Sequence, residues 1–195
     1  MDITFRAPTF SDVEGFDAIK KALEPIVKFL KASRPASKPS LIEALARMVR
    51  VSLPSIETEP ILDSTDQFSS IEVPHCLLIC GPHTSEKKSL MRALAGEANV
   101  PGFCISGREL NDVPVIGWTD EVVSELLAQA KKAAPCIIFV DNIDDGLDES
   151  ARRRLIKLMD GVRVKGSKVI LVANTSIPGA LDLTLTRRFD CCIKF

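Results

Sequence analysis

Five short apolar runs constrain this chain more than any other feature: "CLLIC", "GFCIS", "CIIFVD", "KVILVA" and the final "CCIKF". Between them lie stretches of helical length, "KSLMRALAGEA", "DEVVSELLAQAKKA" and "ESARRRLIKLMDG". A strand that is apolar throughout is buried on both faces, and helix-length crossovers between successive strands make them parallel and right-handed. The expectation is an α/β fold: a five-stranded parallel sheet with helices on both sides, a three-layer α/β/α sandwich. Ligands bind such sheets beyond the carboxyl ends of the strands. That brings Gly81 to Ser89, Asp141 to Asp144 and Asn174 to Ser176 to one edge.

The flanks carry less information. In "SDVEGFDAIKKALEPIVKFLKAS", Val13, Phe16, Ile19, Leu23, Ile26, Val27 and Leu30 recur at helical spacing, and Pro25 is expected to kink or divide the helix. Residues 32–73 change character, with Pro, Ser, Thr and Asp around the amphipathic "LIEALARMVRV". They read as a surface insertion carrying one helix. The formal net charge is -1 over 195 residues, so nothing points to nucleic acid, and the size suits one globular domain. No apolar run approaches the roughly 20 residues needed to cross a bilayer. The N-terminus has no apolar signal core, so the chain is expected to be soluble and intracellular, with no membrane segment of its own. Six cysteines, most of them in apolar runs and none in CxxC pairs, read as reduced core residues. His75 and His83 belong to no HExxH, so no metalloprotease site is expected.

The segment after "CLLIC" is "GPHTSEKKS", Gly81, Pro82, His83, Thr84, Ser85, Glu86, Lys87, Lys88 and Ser89. A phosphate loop GxxxxGK[ST] turns successive backbone N–H groups toward phosphate, neutralises charge with its Lys and ligates magnesium with its hydroxyl. Here Gly81 and Lys87 hold the first and seventh positions, Glu86 replaces the second glycine and Lys88 replaces the hydroxyl residue. A Cβ where φ > 0 is needed costs on the order of 1 kcal/mol, and a carboxylate beside phosphate adds repulsion. Ser89 serves as the hydroxyl only if the loop is one residue longer.

"TFSDVEGFDAIKKALEPIVKFL", "RALAGEANVPGFCISGREL", "AQAKKAAPCIIFVDNID", "KLMDGV" and "TSIPGALDLTLTRRFD" together resemble the AAA+ ATPases, a branch of the P-loop NTPase fold. The first three look like the FtsH-type proteases; the last, with its adjacent arginines, is similar to the katanin and spastin branch. The resemblance covers Thr9 to Lys31 and Cys76 to Phe195 and implies that residues 1–195 form a single AAA+ large subdomain, with the family's C-terminal helical lid absent from this chain.

What the resemblance implies about the site follows residue by residue. Asp12, Val13 and Gly15 would flank the adenine. Asp141 matches the Walker B acid that helps hold magnesium, if nucleotide binds. The next position, normally the glutamate that polarises water, is Asn142, and an amide has no general-base capacity, so hydrolysis should fall by orders of magnitude. Ser176 falls at the sensor asparagine. Asn174 is two residues early and is expected to face elsewhere, since side chains alternate along a strand. Arg187 and Arg188 match the fingers that reach a neighbouring subunit's γ-phosphate. The pore-loop triplet falls on Val115, Ile116 and Gly117, followed by Trp118. The expected function is a non-hydrolysing AAA+ domain, a structural or regulatory partner in a hetero- or homo-hexamer, with a protein client and with ATP and magnesium binding weak or absent. The alternative is an FtsH-type ATPase in which Lys87 and Asp141 retain Mg-ATP and Asp144 or Asp145 activates water slowly.

Overall fold

A computed structural model describes residues 7–34, 73–81, 85–111, 119–144, 146–177, 179 and 181–194, except for the side chains of Ser85 and Glu86. Residues 1–33 and 73–195 make up one unit, which is the one described below. The insertion expected over 32–73 lies, apart from its ends, outside the described residues, as do Pro82, His83, Thr84 and the pore-loop candidates Val115 to Trp118.

Helix α1 (Asp17–Ala32) buries Ile19, Leu23, Ile26, Val27 and Leu30. It is not divided at Pro25, which lies inside the helix. Pro25 lies on the exposed face, so the Lys21 carbonyl left without its helical donor can be hydrated, while the apolar stripe continues on either side. Strand β1 (Cys76–Cys80) leads to α2 (Ser85–Ala98), then β2 (Gly102–Ser106), α3 (Asp120–Lys132), β3 (Cys136–Asp141), α4 (Glu149–Val162), β4 (Val169–Thr175), the short α5 (Leu183–Thr186) and β5 (Cys191–Lys194). Polar residues cap the helices as their sequences suggest. Asp148 accepts from Ala151 N at 2.7 Å, and Asp182 from Leu185 N at 2.8 Å.

All five strands are parallel, in the order β2-β3-β4-β1-β5. Alternation along each strand feeds two cores. Leu77, Ile79, Ile137, Phe139, Ile170 and Val172 pack with α1 and α2, and Cys76, Leu78, Ile138, Val140, Leu171 and Ala173 pack with α3 and α4. This is the expected three-layer sandwich, and β1, β4 and β3 are immediate neighbours, so the segments leaving their carboxyl ends meet at one edge.

Two close approaches hold that edge and its support in place. A Cβ on Gly107 would stand 2.5 Å from the Asn142 carbonyl oxygen, and one on Gly96 would stand 1.9 Å from that of Pro8. Glycine at 107 therefore lets the segment after β2 lie against the end of β3. At the opposite end of the sheet, Asp190 accepts from His75 N at 2.9 Å and Cys76 N at 2.8 Å, and pairs with Arg163 at 2.5 Å, which ties β1, β5 and α4 together. The six cysteines are free, with the Cys80 and Cys192 sulfurs 3.1 Å apart.

Candidate phosphate edge

Asp141, the last residue of β3, is 7% exposed, and both its oxygens are engaged. Oδ1 accepts from Asn174 Nδ2 at 2.6 Å, and Oδ2 pairs with Lys88 Nζ at 2.7 Å. The carboxylate in turn holds the Lys88 ammonium above its ordinary pKa. Position 88 lies in the first turns of α2, which places its side chain opposite the end of β3.

Asn174 therefore corrects the sequence expectation. It is 2% exposed and faces Asp141 directly. Residues two apart on a strand share a face, so alternation puts Asn174 with Val172 on the α2 side. Its Oδ1 accepts from Asn142 N at 2.7 Å, so one amide side chain links the end of β4 to both residues that end β3. Asn142 itself has φ +54°, a left-handed conformation in which asparagine is enriched several-fold over other non-glycine residues.

Lys87 is buried, and its ammonium donates to the Gly81 carbonyl and, at 3.2 Å, to that of Thr175. Burial lowers its pKa, against the opposing pull of Asp144 and Asp141. Asp144 holds the segment after β4. Ser176 Oγ donates to Asp144 Oδ2 at 2.6 Å, Ser176 N at 3.2 Å and Ile177 N at 3.2 Å. Burial would raise the Asp144 pKa, but these hydrogen bonds outweigh it and hold the carboxyl below its ordinary value.

The other expected site residues lie apart from this cluster. Asp12 accepts from Thr9 N at 2.7 Å and Oγ1 at 2.9 Å in a capping box, Val13 is buried, and Gly15 takes φ +74° at the entry to α1. Ser89 is exposed on α2. Arg187 and Arg188 follow α5; Arg188 pairs with Asp160 at 2.5 Å, whereas the Arg187 side chain is exposed.

Residues 77–195 match the model of the ATPase family associated with various cellular activities. The chain belongs to the AAA ATPase family. Within it, the relatives include the ATP-dependent zinc metalloproteases FtsH of Acidobacterium capsulatum, 34% identical over 93% of this chain, and FtsH 2 of Symbiobacterium thermophilum, also 34% identical over 93%. This AAA chain spans only 26% and 28% of those proteins. The AAA domain of FIGL-1 crystallised with ADP superposes with a TM-score of 0.65 at 23% identity, covering 95% of this chain and 55% of that one, a likeness of fold.

AAA ATPases use ATP and magnesium, so the fit of the metal to this AAA domain can be tested against its own donors. Magnesium takes oxygen ligands at about 2.0–2.1 Å in a near-octahedral set. An ammonium has three donors and no acceptor. At this edge the Lys88 ammonium already lies against Asp141 at 2.7 Å. Among the described residues, Asp141 and Lys88 as they are paired do not fit a divalent cation.

Proposed function

We propose that this AAA domain does not hydrolyse ATP and acts as a structural or regulatory subunit of an AAA assembly. One observation carries the reading. Among the described residues at the edge, both carboxylates are already committed, Asp141 to Lys88 and Asn174, and Asp144 to Ser176 and Ile177. A general base must accept a proton from water within hydrogen-bond reach, and Asn142 has no such capacity. Asp144, the replacement base of the alternative reading, has its oxygens taken by the hydrogen bonds that fix the β4 loop, and the same bonds lower its pKa and make it a weaker base. Glu86, in place of the second loop glycine, and Ser176, in place of the sensor asparagine, point the same way.

AAA domains generally assemble into oligomers, and the chain's second role follows from what its far end offers. Arg187 is exposed at the end of α5, and Leu183 at its start is 69% exposed. In a hexamer, Arg187 is the arginine we assign to a neighbour's γ-phosphate. Arg188 must first leave Asp160, an exposed pair worth no more than about 1 kcal/mol. Phosphate release from ATP with magnesium, measured on the purified chain and read beside its mass in solution, tests the proposal. Magnesium-dependent turnover that scales with protein concentration would refute it.

A further inference from the structure

The substitution at position 88 removes a magnesium ligand and also introduces a cation. Lys88 Nζ lies 2.7 Å from Asp141 Oδ2, and Asp141 is buried against β4 and α2, with Asn174 filling its other oxygen. A buried carboxylate needs a counter-charge and hydrogen bonds, and here the protein supplies both from its own chain. We infer that the Lys88 ammonium is a tethered replacement for the divalent cation, so that this domain's interaction with nucleotide is indifferent to magnesium. The inference rests on the non-hydrolysing reading above and extends it from the loss of chemistry to the kind of ligand accepted: a nucleoside polyphosphate taken as the free anion.

The physical case is one of exclusion. A divalent ion at Asp141 would have to share the carboxylate with an ammonium held at hydrogen-bond distance, like charge against like charge. Lys88 is 58% exposed, so its stem has room to move, but moving it breaks the 2.7 Å ion pair to Asp141. Substitution by a hydroxyl residue reverses both conditions. It removes the competing charge and restores an oxygen ligand.

The test uses the whole chain and Lys88→Thr, each with ADP and a fluorescent ADP analogue as probes, in EDTA and in millimolar magnesium. Thermal shift and fluorescence titration are the readouts. The unmodified chain is expected to melt at the same temperature in both buffers and to bind the analogue with affinities equal within about twofold. Lys88→Thr is expected to melt lower in EDTA, to gain stability with magnesium and to bind the analogue roughly tenfold tighter when magnesium is present. Tightening of roughly tenfold by magnesium in the unmodified chain overturns the inference, and so does a Lys88→Thr protein as indifferent to magnesium as its parent. If ADP shifts neither protein and neither binds the analogue, the domain accepts no nucleoside polyphosphate and the inference is overturned. If Lys88→Thr does not fold, the unmodified chain decides: equal binding in the two buffers supports the inference, and a magnesium-dependent response or no ADP binding overturns it. ATP turnover in magnesium would refute the non-hydrolysing reading, whereas magnesium-dependent binding without turnover refutes only the present inference.

Discussion

Asn174→Ala removes two strong hydrogen bonds at once, along with a weaker one to the Met91 sulfur at 3.4 Å. The Nδ2 donor to Asp141 serves a buried carboxylate at 2.6 Å, an interaction of about 1.5–3 kcal/mol because the acceptor is charged. The Oδ1 acceptor serves the part-buried Asn142 N–H at 2.7 Å, and losing it costs about 1 kcal/mol since water can partly replace it. The sum is about 3 kcal/mol. For a domain of this size that lowers Tm by roughly 6–12 °C, measured by circular dichroism on heating. A loss below about 2 °C would refute the claim that Asn174 holds the ends of β3 and β4 together. Asn174→Asp sharpens the test, because it keeps the acceptor but sets a second carboxylate against Asp141. Such a pair retains a proton in the folded state, so its pKa is raised above the unfolded value and its stability falls as pH rises. The variant's deficit should therefore be larger in mildly alkaline than in mildly acidic buffer, while the unmodified chain, with an amide at 174, has no such term.

Asp144 has the opposite sign. Its folded pKa lies below the ordinary 3.8, so the stability it contributes is fully present above 3.8 and is lost as pH falls through the folded value. Urea unfolding should show Asp144→Asn less stable than its parent near neutrality, with the gap closing in acid; a gap independent of pH would show that the Ser176 contacts do not depend on charge. Burial pushes the Cys76, Cys80 and Cys136 thiols up to about 12, so iodoacetamide in mildly alkaline buffer should label exposed Cys192 and leave those three unmodified until unfolding, as read by mass spectrometry. Asn142→Glu should lose about 1 kcal/mol from its left-handed backbone and gain no turnover in a phosphate-release assay, because Lys88 still holds Asp141. Robust hydrolysis by that single variant would refute the account of the edge.

The layers of this fold were legible because its central strands β1, β3 and β4 are apolar on both faces and its helices on one, and neither pattern depends on distant partners. The strands lie in the runs expected of them, and their carboxyl ends converge as the crossover rule requires. Pairings between distant segments were not legible. Lys88 reads in sequence as a missing hydroxyl; that it forms an ion pair with Asp141 depends on α2 facing the end of β3. Asn174 shares a face with Val172 because residues two apart on a strand point the same way, and a polar residue at the end of the apolar run "KVILVA" is itself a signal. Asp144 reads in sequence as a candidate replacement base, and only the return of β4 beside β3 shows Ser176 and Ile177 donating to it. Gly107 carries no local turn signal, since the atoms it makes room for belong to Asn142 and Ile143.

The charges at the edge also fix the order in which a metal site could be rebuilt. Lys88 neutralises Asp141, backbone and hydroxyl donors satisfy Asp144, and carbonyls take Lys87, so each of these three described charges already has an internal partner. Adding a divalent ion about 4 Å from the Lys88 ammonium costs roughly 8 kcal/mol at an effective dielectric of about 20, twice the unit-charge figure. Swinging Lys88 outward avoids that repulsion but gives up the ion pair to Asp141. Either route opposes the metal before any base at position 142 can matter. Lys88→Thr must therefore come first, and Asn142→Glu should change nucleotide chemistry only in its presence, so the two substitutions are expected to be strongly non-additive. Magnesium-dependent ATP turnover measured across the four-member cycle checks this. Equal effects of Asn142→Glu with Lys or Thr at position 88 would mean that the tethered ammonium does not control the edge.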